Sequence, residues 1–337
     1  MYFNNAATTW PKPEVVYETL DRTFRSLNSP ERTTSDEGAR SNEMMSSCRE
    51  ELAAFFNIKD PRRLIFTPSA TYSLNLAILG LDWRDGDVML MSGLEHHAVS
   101  RPIRKVAREH GARFEVAPYS PQQPIDLNFV EDKLKAGNVK LLAFAGHKGL
   151  FGPPGGGGLF VRKGIQLETL AEGGTGKDSG KHEMSGRYPS NYEVGTHNLL
   201  SIVGMTAGVR WIKEQGQEAL RQHELNITRR FSEGAAKLPG VTLYGHPDVE
   251  RRTAVVSLTM DGVTPEGIAQ WLAEEHNVST RAGYHCAPLP HETIGTLPGD
   301  GTIRFSFGFS NTAEEIDQVL GYLAEVPRLE GQLDWVV

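Results

Sequence analysis

The segment from Leu141 to Phe160, "LLAFAGHKGLFGPPGGGGLF", decides the fold class and holds the first candidate for chemistry. Residues 141–145 are all apolar, and so short a run predicts a buried strand rather than an exposed helix. Lys148 follows that strand, at the edge of the sheet where open α/β folds bind ligands. A partly buried lysine loses its proton readily, and its neutral amine can form a Schiff base with an aldehyde. We therefore expect a reactive lysine; a solvated surface charge is the alternative for Lys148 taken alone.

The composition narrows the class of protein. The 337 residues are enough for two domains, and 39% hydrophobic with 23% charged residues is typical of a soluble globular chain. A net charge of −7 without a basic block argues against a nucleic-acid partner. No apolar run reaches the length of a membrane span, and the start of the chain does not resemble a signal peptide. These features predict a cytoplasmic protein with neither a membrane nor a nucleic acid as partner.

The chain has two cysteines, Cys48 and Cys286, and their spacing fits no metal site. Two isolated cysteines indicate a reducing compartment, so we expect neither a disulfide nor a metal. Cys286 lies in "RAGYHCAP", beside His285 and shortly after Arg281, and cationic neighbours favour the nucleophilic thiolate. An inert buried cysteine is the alternative, which the surrounding glycine and prolines weaken. Cys48 lies in a helical pattern and is expected to be structural.

Strand-like and helix-like segments alternate along the chain, which predicts an α/β architecture. The apolar periodicity predicts helices over residues 13–27, 43–56, 127–134, 201–215 and 217–238. Pro239 and Gly240 interrupt the last of these patterns, and we place a domain boundary there.

The stretch "SATYSLN", from Ser69 to Asn75, predicts an anion site. Small residues stand between a strand and a helix, so free backbone N–H groups and the helix dipole point at one place. An ordinary helix cap by Ser69 or Thr71 is the alternative, and it is the simpler explanation for this stretch alone.

Two further polar features follow or interrupt strands. "EHH", from Glu95 to His97, holds adjacent histidines that point in different directions, so a shared metal is not expected. One of the two could stack on a planar ring; a polar pair in a loop is the alternative. Arg304 interrupts the apolar strand "TIRFSF", and such an arginine usually pairs with a carboxylate of the protein or of a substrate.

Taken together, six motifs resemble the cysteine desulfurases and selenocysteine lyases of the class V aminotransferase group, which are fold type I enzymes that use pyridoxal phosphate. The motifs occur in the family's order from Tyr2 to the last helix: "YFNNAATT", "FTPSATYSLNLAI", "EHHAVSRPI", "AFAGHKGLFGPPGGGGLFV", "YEVGTHN" and "RAGYHCAPLPHETIGTLPGDGTIRFSFGFSNTAEEID". The resemblance implies a large domain over residues 15–240 with a mainly parallel sheet. It also implies a small C-terminal α+β domain over 241–337, joined by the N-terminal segment 1–14.

The resemblance also implies how the cofactor is held. Lys148 would form the Schiff base with pyridoxal phosphate, and His147 would lie beside it. Ala70 and Thr71 would bind the phosphate at a helix N-terminus. Thr196, in "YEVGTHN", would reach the phosphate bound by the partner subunit, so a homodimer is expected.

The remaining roles that the resemblance implies concern the substrate. His96 would stack on the pyridine ring and help to move protons. Arg304 would hold the carboxylate of L-cysteine, with Arg281 nearby. The freed Lys148 would take the Cα proton, and Cys286 would attack the substrate sulfur and keep it as a persulfide while alanine leaves. A sulfur-acceptor protein is then an expected partner.

The resemblance breaks between residues 135 and 142. In the family, two further strands and a crossover helix precede the lysine strand, and they carry an asparagine beside the cofactor and an aspartate that pairs with the pyridine nitrogen. Here the short helix predicted at 127–134 leads almost directly into "NVKLLAFAGHK". A βαβ unit takes roughly 30 residues or more, so we expect the large domain to lack about one such unit. A smaller departure is Ala145, where the family usually has a hydroxyl residue that contacts the phosphate.

Three hypotheses for function follow. The first is a pyridoxal-phosphate-dependent cysteine desulfurase, which Cys286 favours. The second keeps the cofactor but changes the reaction, to that of a selenocysteine lyase or another class V enzyme. The third is a catalytically impaired scaffold protein of the same fold, which the missing aspartate favours.

Overall fold

The computed structural model describes residues 1–27, 35–117, 140–176, 180–184 and 186–326. In these ranges the helices are α1 (Glu14–Ser26), α2 (Asp36–Phe55), α3 (Ala70–Leu79), α4 (His97–His110), α5 (Leu199–Gln215), α6 (Gln217–Ala235), α7 (Pro265–His276), α8 (Pro288–Thr293) and α9 (Ala313–Leu323). The strands are β1 (Leu64–Thr67), β2 (Val88–Ser92), β3 (Arg113–Ala117), β4 (Leu141–Ala145), β5 (Gly157–Val161), β6 (Val241–Tyr244), β7 (Val255–Met260) and β8 (Ile303–Ser306). The expected α/β class is confirmed, and the helix predicted at 127–134 lies outside the described residues.

The strands of the first half of the chain form two sheets, in the orders β1-β5-β4 and β2-β3. Strands β2 and β3 run parallel, whereas β5 is antiparallel to both of its neighbours, so β1 and β4 point in the same direction. Gly157 of β5 faces Thr67 on one side and Ala145 on the other. This register brings the end of β1, which leads into the predicted anion site, close to the end of β4, which leads into Lys148.

The close packing of β5 against the start of α3 requires glycine at position 157. A side chain there would place a Cβ about 3.0 Å from the carbonyl carbon of Ser69 and 3.1 Å from the nitrogen of Ala70. Such contacts are tighter than side chains tolerate, so only glycine lets β5 pass directly beneath the start of α3. One member of the glycine run thus positions the predicted anion site.

Strand β4 is less buried than its sequence predicts. All five residues of this strand, 141–145, are only partly buried, whereas four of the five in β5 are fully buried. The physical reason is that, among the described residues, β4 pairs with β5 alone and therefore has one strand neighbour instead of two.

Helix starts follow local capping. The side chain of Ser35 accepts a hydrogen bond from Gly38 N, and acidic residues occupy the first turn of α2. These features stabilise a helix N-terminus, so α2 begins at Asp36 rather than at residue 43, where apolar periodicity places its start. Ser69 caps α3 by accepting from Tyr72 N, and Gly111 ends α4 in the left-handed region with φ of 70°.

One hydrophobic core contains Leu52 of α2, Leu64 of β1 and Met205 of α5. A second core surrounds the antiparallel sheet β6-β7-β8. Helices α6, α7 and α9 contribute buried side chains to it, among them Phe231 of α6. Helix α6 thus belongs to this core although it precedes residue 240, where the sequence predicts the boundary. Within the described ranges, no helix is both long and apolar enough to cross a membrane.

The N-terminal segment connects the two cores. Phe3 is fully buried in the second core, and its carbonyl accepts a hydrogen bond of 2.7 Å from Ser306 N of β8. A few residues later, Thr9 N donates to the carbonyl of His147, just beyond β4. A short extended stretch therefore fixes β8 relative to the turn that carries Lys148.

Candidate active site

Hydrogen bonds from the N-terminal segment hold the turn around Lys148. The carbonyl of His147 accepts three hydrogen bonds, from Thr9 N at 3.1 Å, Thr8 Oγ1 at 3.0 Å and Lys12 Nζ at 2.8 Å. The carbonyl of Lys148 itself accepts from Thr9 Oγ1 at 3.0 Å. The backbone of the lysine turn is therefore fixed, while the Lys148 side chain is left to reach into the cleft.

The environment of Lys148 favours its neutral amine. The residue remains accessible to solvent, yet enough protein surrounds the ammonium that desolvation lowers the pKa of Lys148. The positive charges of Arg304 and Arg281 lower it further, and Cys286 opposes them. A lysine that loses its proton more easily than usual is suited to act as a nucleophile or a base.

Arg281 and Arg304 lie side by side on neighbouring backbone segments. Arg304 N donates to the carbonyl of Arg281 at 2.8 Å, and Arg304 Nη2 donates to Asn4 Oδ1 at 3.2 Å. Within the described ranges neither arginine forms a salt bridge, and Arg304 Nε is buried without a hydrogen-bond partner. Desolvation, followed by the charge of Arg281, lowers the pKa of Arg304 to about 10. Among the described residues, the pair is therefore a cationic site without a carboxylate partner.

Cys286 lies against this pair. Arg281 Nη2 donates to Cys286 Sγ at 2.9 Å, and the Cys286 carbonyl accepts from His97 N at 2.8 Å. His285 and Cys286 both have positive φ, 53° and 60°, which is rare for residues other than glycine and is typical of functional sites.

Of the cationic neighbours predicted for Cys286, His285 does not carry a charge. Burial, with the nearby charge of Arg304 and others, lowers the pKa of His285 to about 3. His285 is therefore neutral near pH 7. Among the described residues, it is Arg281 whose guanidinium donates directly to the thiol.

His96 precedes α4 and faces the same group of charges. Its Nδ1 accepts a hydrogen bond from Ala98 N at 3.0 Å, so the proton of the neutral ring lies on Nε2. Desolvation, followed by the charges of Lys148, His97 and Arg281, lowers the pKa of His96. At neutral pH, His96 therefore presents an Nε2–H donor.

The predicted anion site lies at the N-terminus of α3. The side-chain cap of Ser69 satisfies Tyr72 N, and the backbone N–H groups of Ala70 and Thr71 have no acceptor among the described residues. Thr71 is exposed. Free N–H groups at the positive end of a helix form a site for a phosphate or carboxylate.

Thr196 lies near this anion site but not among the charged residues around Lys148. It is exposed, and it lines a cavity of about 300 Å³ together with Pro68 and Tyr72 at the start of α3. Gly195, with φ of 88°, precedes it and donates its N–H to the carbonyl of Gly174. The structure thus brings Lys148 together with the cysteine, the histidines and the two arginines, whereas Thr196 lines a cavity with the start of α3.

Two residues of the site were not predicted from the sequence. Lys12 donates to the turn before Lys148, and desolvation lowers its pKa to about 8. Glu193 is fully buried below the Thr196 loop and pairs with Arg49. An acidic residue in an otherwise neutral "YEVGTHN" is a weak signal for Glu193, and nothing in the sequence around Lys12 indicates that it would be buried.

The aminotransferase class-V family model matches residues 1–143 and 133–319 of this chain. The two matches overlap at 133–143, where the sequence predicts a shortened segment. A probable cysteine desulfurase of Pyrococcus abyssi is 27% identical over 385 aligned positions, which cover 97% of this chain and 94% of that protein. The alignment is longer than the 337 residues of this chain, so that relative carries residues without a counterpart here.

Solved structures of cysteine desulfurases have a similar fold. The apo structure of a cysteine desulfurase from Thermococcus onnurineus NA1 superposes with a TM-score of 0.88 at 25% identity, over 97% of this chain and 94% of that one. A cysteine desulfurase from Escherichia coli has the same fold, with a TM-score of 0.82 at 22% identity over 97% and 94% of the two chains.

Proposed function

Because this chain belongs to the aminotransferase class-V family, we propose that it is a pyridoxal-phosphate-dependent cysteine desulfurase. The resemblance to this family, drawn from the sequence motifs, is confirmed. The observation that carries the proposal is the pair Arg281 and Arg304, which has no anion within the described ranges and lies beside both Lys148 and Cys286. The carboxylate of an amino-acid substrate would bind this arginine pair, and the adjacent thiol of Cys286 would accept sulfur from the same substrate.

The residues present fit pyridoxal phosphate. The free N–H groups of Ala70 and Thr71 suit its phosphate, and Gly157 leaves room for the turn that presents them. His147 Nδ1 is buried without a partner in the described part of the chain, and His96 offers its ring and an Nε2–H. When bound through Lys148, this cofactor supplies an electron sink for bonds broken at the substrate Cα.

The chain's own residues then have separate tasks. Arg304, with Arg281 beside it, binds the carboxylate of L-cysteine and orients the substrate. Lys148, with its lowered pKa, takes the Cα proton as a base. His96, which lies near Lys148, would donate from Nε2 and contact the ring of the cofactor.

Cys286 performs the sulfur transfer. Its thiolate attacks the substrate sulfur, and an S–S bond forms as the substrate C–S bond breaks. The persulfide stays on Cys286, and the carbon skeleton leaves as alanine once it is protonated. The hydrogen bond from Arg281 to Sγ holds the sulfur of Cys286 beside the arginine pair that binds the substrate carboxylate.

We expect the transferred sulfur on Cys286 and none on Cys48. Burial raises the pKa of the Cys48 thiol, so this thiol is a poor nucleophile, whereas Cys286 is partly accessible. Incubation with L-cysteine, followed by alkylation and peptide mass mapping, should find one additional sulfur on the Cys286 peptide. The Cys286→Ala variant should lose alanine formation, and the Cys48→Ala variant should keep it.

Other outcomes of the same experiment separate the competing hypotheses. Sulfur on Cys48, or full alanine formation by Cys286→Ala, would contradict the role of Cys286. If the wild type converts selenocysteine but not L-cysteine, the protein is a selenocysteine lyase rather than a desulfurase.

The proposal includes the expected partners and location. Thr196, which is exposed, faces the cofactor phosphate of a second subunit in a homodimer. A sulfur-acceptor protein removes the persulfide from Cys286, and the enzyme works in the cytoplasm. The division into a large domain (15–240) and a small domain (241–337) belongs to the same proposal. The core around β6-β7-β8 supports the small domain, and α6 of the large domain packs against that core.

We also infer that the large domain lacks about one βαβ unit near residues 135–142. Three observations support this: the family matches overlap there, the relatives are longer in alignment, and the described strands fall into two sheets. The charges that shift the pKa of Lys148 and His96 in the described part of the chain include no carboxylate. The aspartate that the family resemblance implies is therefore without a replacement among them.

Turnover should consequently be slow. An unpaired pyridine nitrogen weakens the electron sink, and a misplaced ring alone can cost about 100-fold in rate. We expect alanine formation from L-cysteine to be about 100-fold slower than in a relative that has the full-length large domain, assayed side by side at saturating cofactor. Equal rates would contradict the inferred loss. Cofactor binding without any turnover would favour the scaffold hypothesis.

A further inference from the structure

A buried ion pair lies beneath the Thr196 loop, away from the residues assigned to chemistry. The Glu193 side chain is 3% exposed, and those of Arg49 and His197 are each 11% exposed. Arg49 binds the carboxylate with both terminal nitrogens, Nη1 to Oε1 at 2.7 Å and Nη2 to Oε2 at 2.9 Å. His197 Nε2 lies 3.1 Å from Oε2. Such a two-point pair fixes orientation as well as distance.

The same carboxylate also holds the backbone of β1. Glu193 Oε1 accepts from Phe66 N at 2.6 Å, and Arg49 Nη1 donates to the carbonyl of Leu64 at 2.5 Å. The Arg49 guanidinium lies over the Phe66 ring at 4.3 Å. One side chain therefore joins α2, β1 and the loop of residues 193–197, which are distant in sequence.

The two backbone segments joined in this way are the ones that carry the phosphate contacts. Strand β1 ends at Thr67 and leads directly into Ala70 and Thr71 at the start of α3. Three residues beyond Glu193 lies Thr196, and His197 binds the carboxylate from the other side. A change in the position of Glu193 would therefore move both sets of contacts together.

Burying the charged carboxylate of Glu193 costs free energy unless its hydrogen-bond partners stay in place. Desolvation alone would raise the pKa of Glu193, but Arg49 and His197 outweigh it, and the pKa of Glu193 lies below its ordinary value. The group is thus charged at neutral pH and depends on these partners to offset its loss of solvent.

We propose that Glu193 is a positioning residue that holds the Thr196 loop and the α3 anion site in one fixed arrangement through Arg49, His197 and Phe66 N. One chain thereby contributes to two cofactor phosphates, its own through Ala70 and Thr71 and the partner subunit's through Thr196. This inference rests on the proposed function, because Thr196 and the α3 site serve phosphate only if the protein binds pyridoxal phosphate.

The test compares pyridoxal 5'-phosphate with pyridoxal, which lacks the phosphate. The wild type is first titrated with both ligands. The Kd of pyridoxal divided by the Kd of pyridoxal 5'-phosphate measures what the phosphate contributes to binding. Glu193→Gln should lower that ratio about tenfold, the loss expected for one charged hydrogen bond, while binding of pyridoxal stays within about twofold. A residue that merely supported the fold would weaken both ligands equally.

Glu51→Gln is the matched control. Glu51 lies on α2 close to Arg49, but its ion pair with Arg210 is on the surface, so both Kd values should stay as in the wild type. If Glu193→Gln does not fold, His197→Leu replaces it, because that variant keeps the Arg49–Glu193 pair and removes only the contact on the loop side. A threefold or greater drop in the ratio is then expected.

The outcomes are separable. An unchanged ratio in Glu193→Gln, or in His197→Leu where the first variant is unfolded, overturns the positioning role. So does equal weakening of both ligands. A wild type that binds neither ligand overturns the proposed function instead, before any variant is compared.

Discussion

Replacing Lys148 with alanine is expected to lower alanine formation from L-cysteine by about 10³- to 10⁴-fold, because the chain loses its base and its covalent attachment to the cofactor at once. The neighbouring charges support this assignment, since desolvation and two arginines lower the pKa of Lys148. The rate is measured at saturating cofactor and substrate. Lys163→Ala, which removes an exposed lysine elsewhere, is the control and should keep the full rate.

Borohydride reduction followed by peptide mapping gives an independent check of the same assignment. The cofactor should be found on the peptide that contains Lys148. Lys12 is the competitor that the structure offers, because its amine lies at the neighbouring turn and its pKa is about 8. A label on Lys12, or a Lys148→Ala variant that keeps more than about a tenth of the rate, would disprove the assignment.

Replacing Arg304 with glutamine is expected to lower kcat/KM for L-cysteine by roughly 10²-fold or more. Loss of one partner from a buried charged pair costs about 2–5 kcal/mol, and each 1.4 kcal/mol is tenfold in binding. Arg304 is partly buried, and within the described ranges it has no carboxylate of its own, so the substrate supplies the anion. Arg62→Gln removes an exposed arginine and should leave kcat/KM unchanged.

A second substrate, cysteamine, which is cysteine without its carboxylate, tests whether Arg304 recognises the carboxylate. If Arg304 binds the carboxylate, Arg304→Gln should slow the reaction of cysteamine far less than that of L-cysteine. Equal losses with the two substrates would mean that Arg304 supports the site as a whole and does not recognise the carboxylate.

The residues that could be predicted from the sequence are those whose role depends on near neighbours in the chain. Lys148 follows a short apolar strand, Ser69 stands directly before a helix, and Gly111 ends one. Each of these signals lies within a few residues of the feature that it predicts, which is the range over which capping and strand patterns act.

What could not be predicted depends on contacts between distant residues. Arg49 and Glu193 are 144 positions apart, and no local pattern indicates their pairing. The partial burial of β4 reflects which strands lie beside it rather than its own composition, which is apolar throughout. Lys12 is buried because the segment 1–12 is held between β8 and the lysine turn, and only the folded chain brings those two together.

The N-terminal segment also sets when the lysine turn is completed during protein synthesis. The hydrogen bond between Phe3 and Ser306 ties to β8 the same segment whose Thr9 holds the turn at Lys148. The ribosome makes about 5–20 residues per second, so roughly 15–60 s separate the synthesis of the first residues from that of β8. From the synthesis of Lys148 until that of β8, the nascent chain contains Lys148 but not the support that fixes it. The finished lysine site is therefore a property of the nearly complete chain, and a ribosome-bound fragment that ends before β8 lacks it.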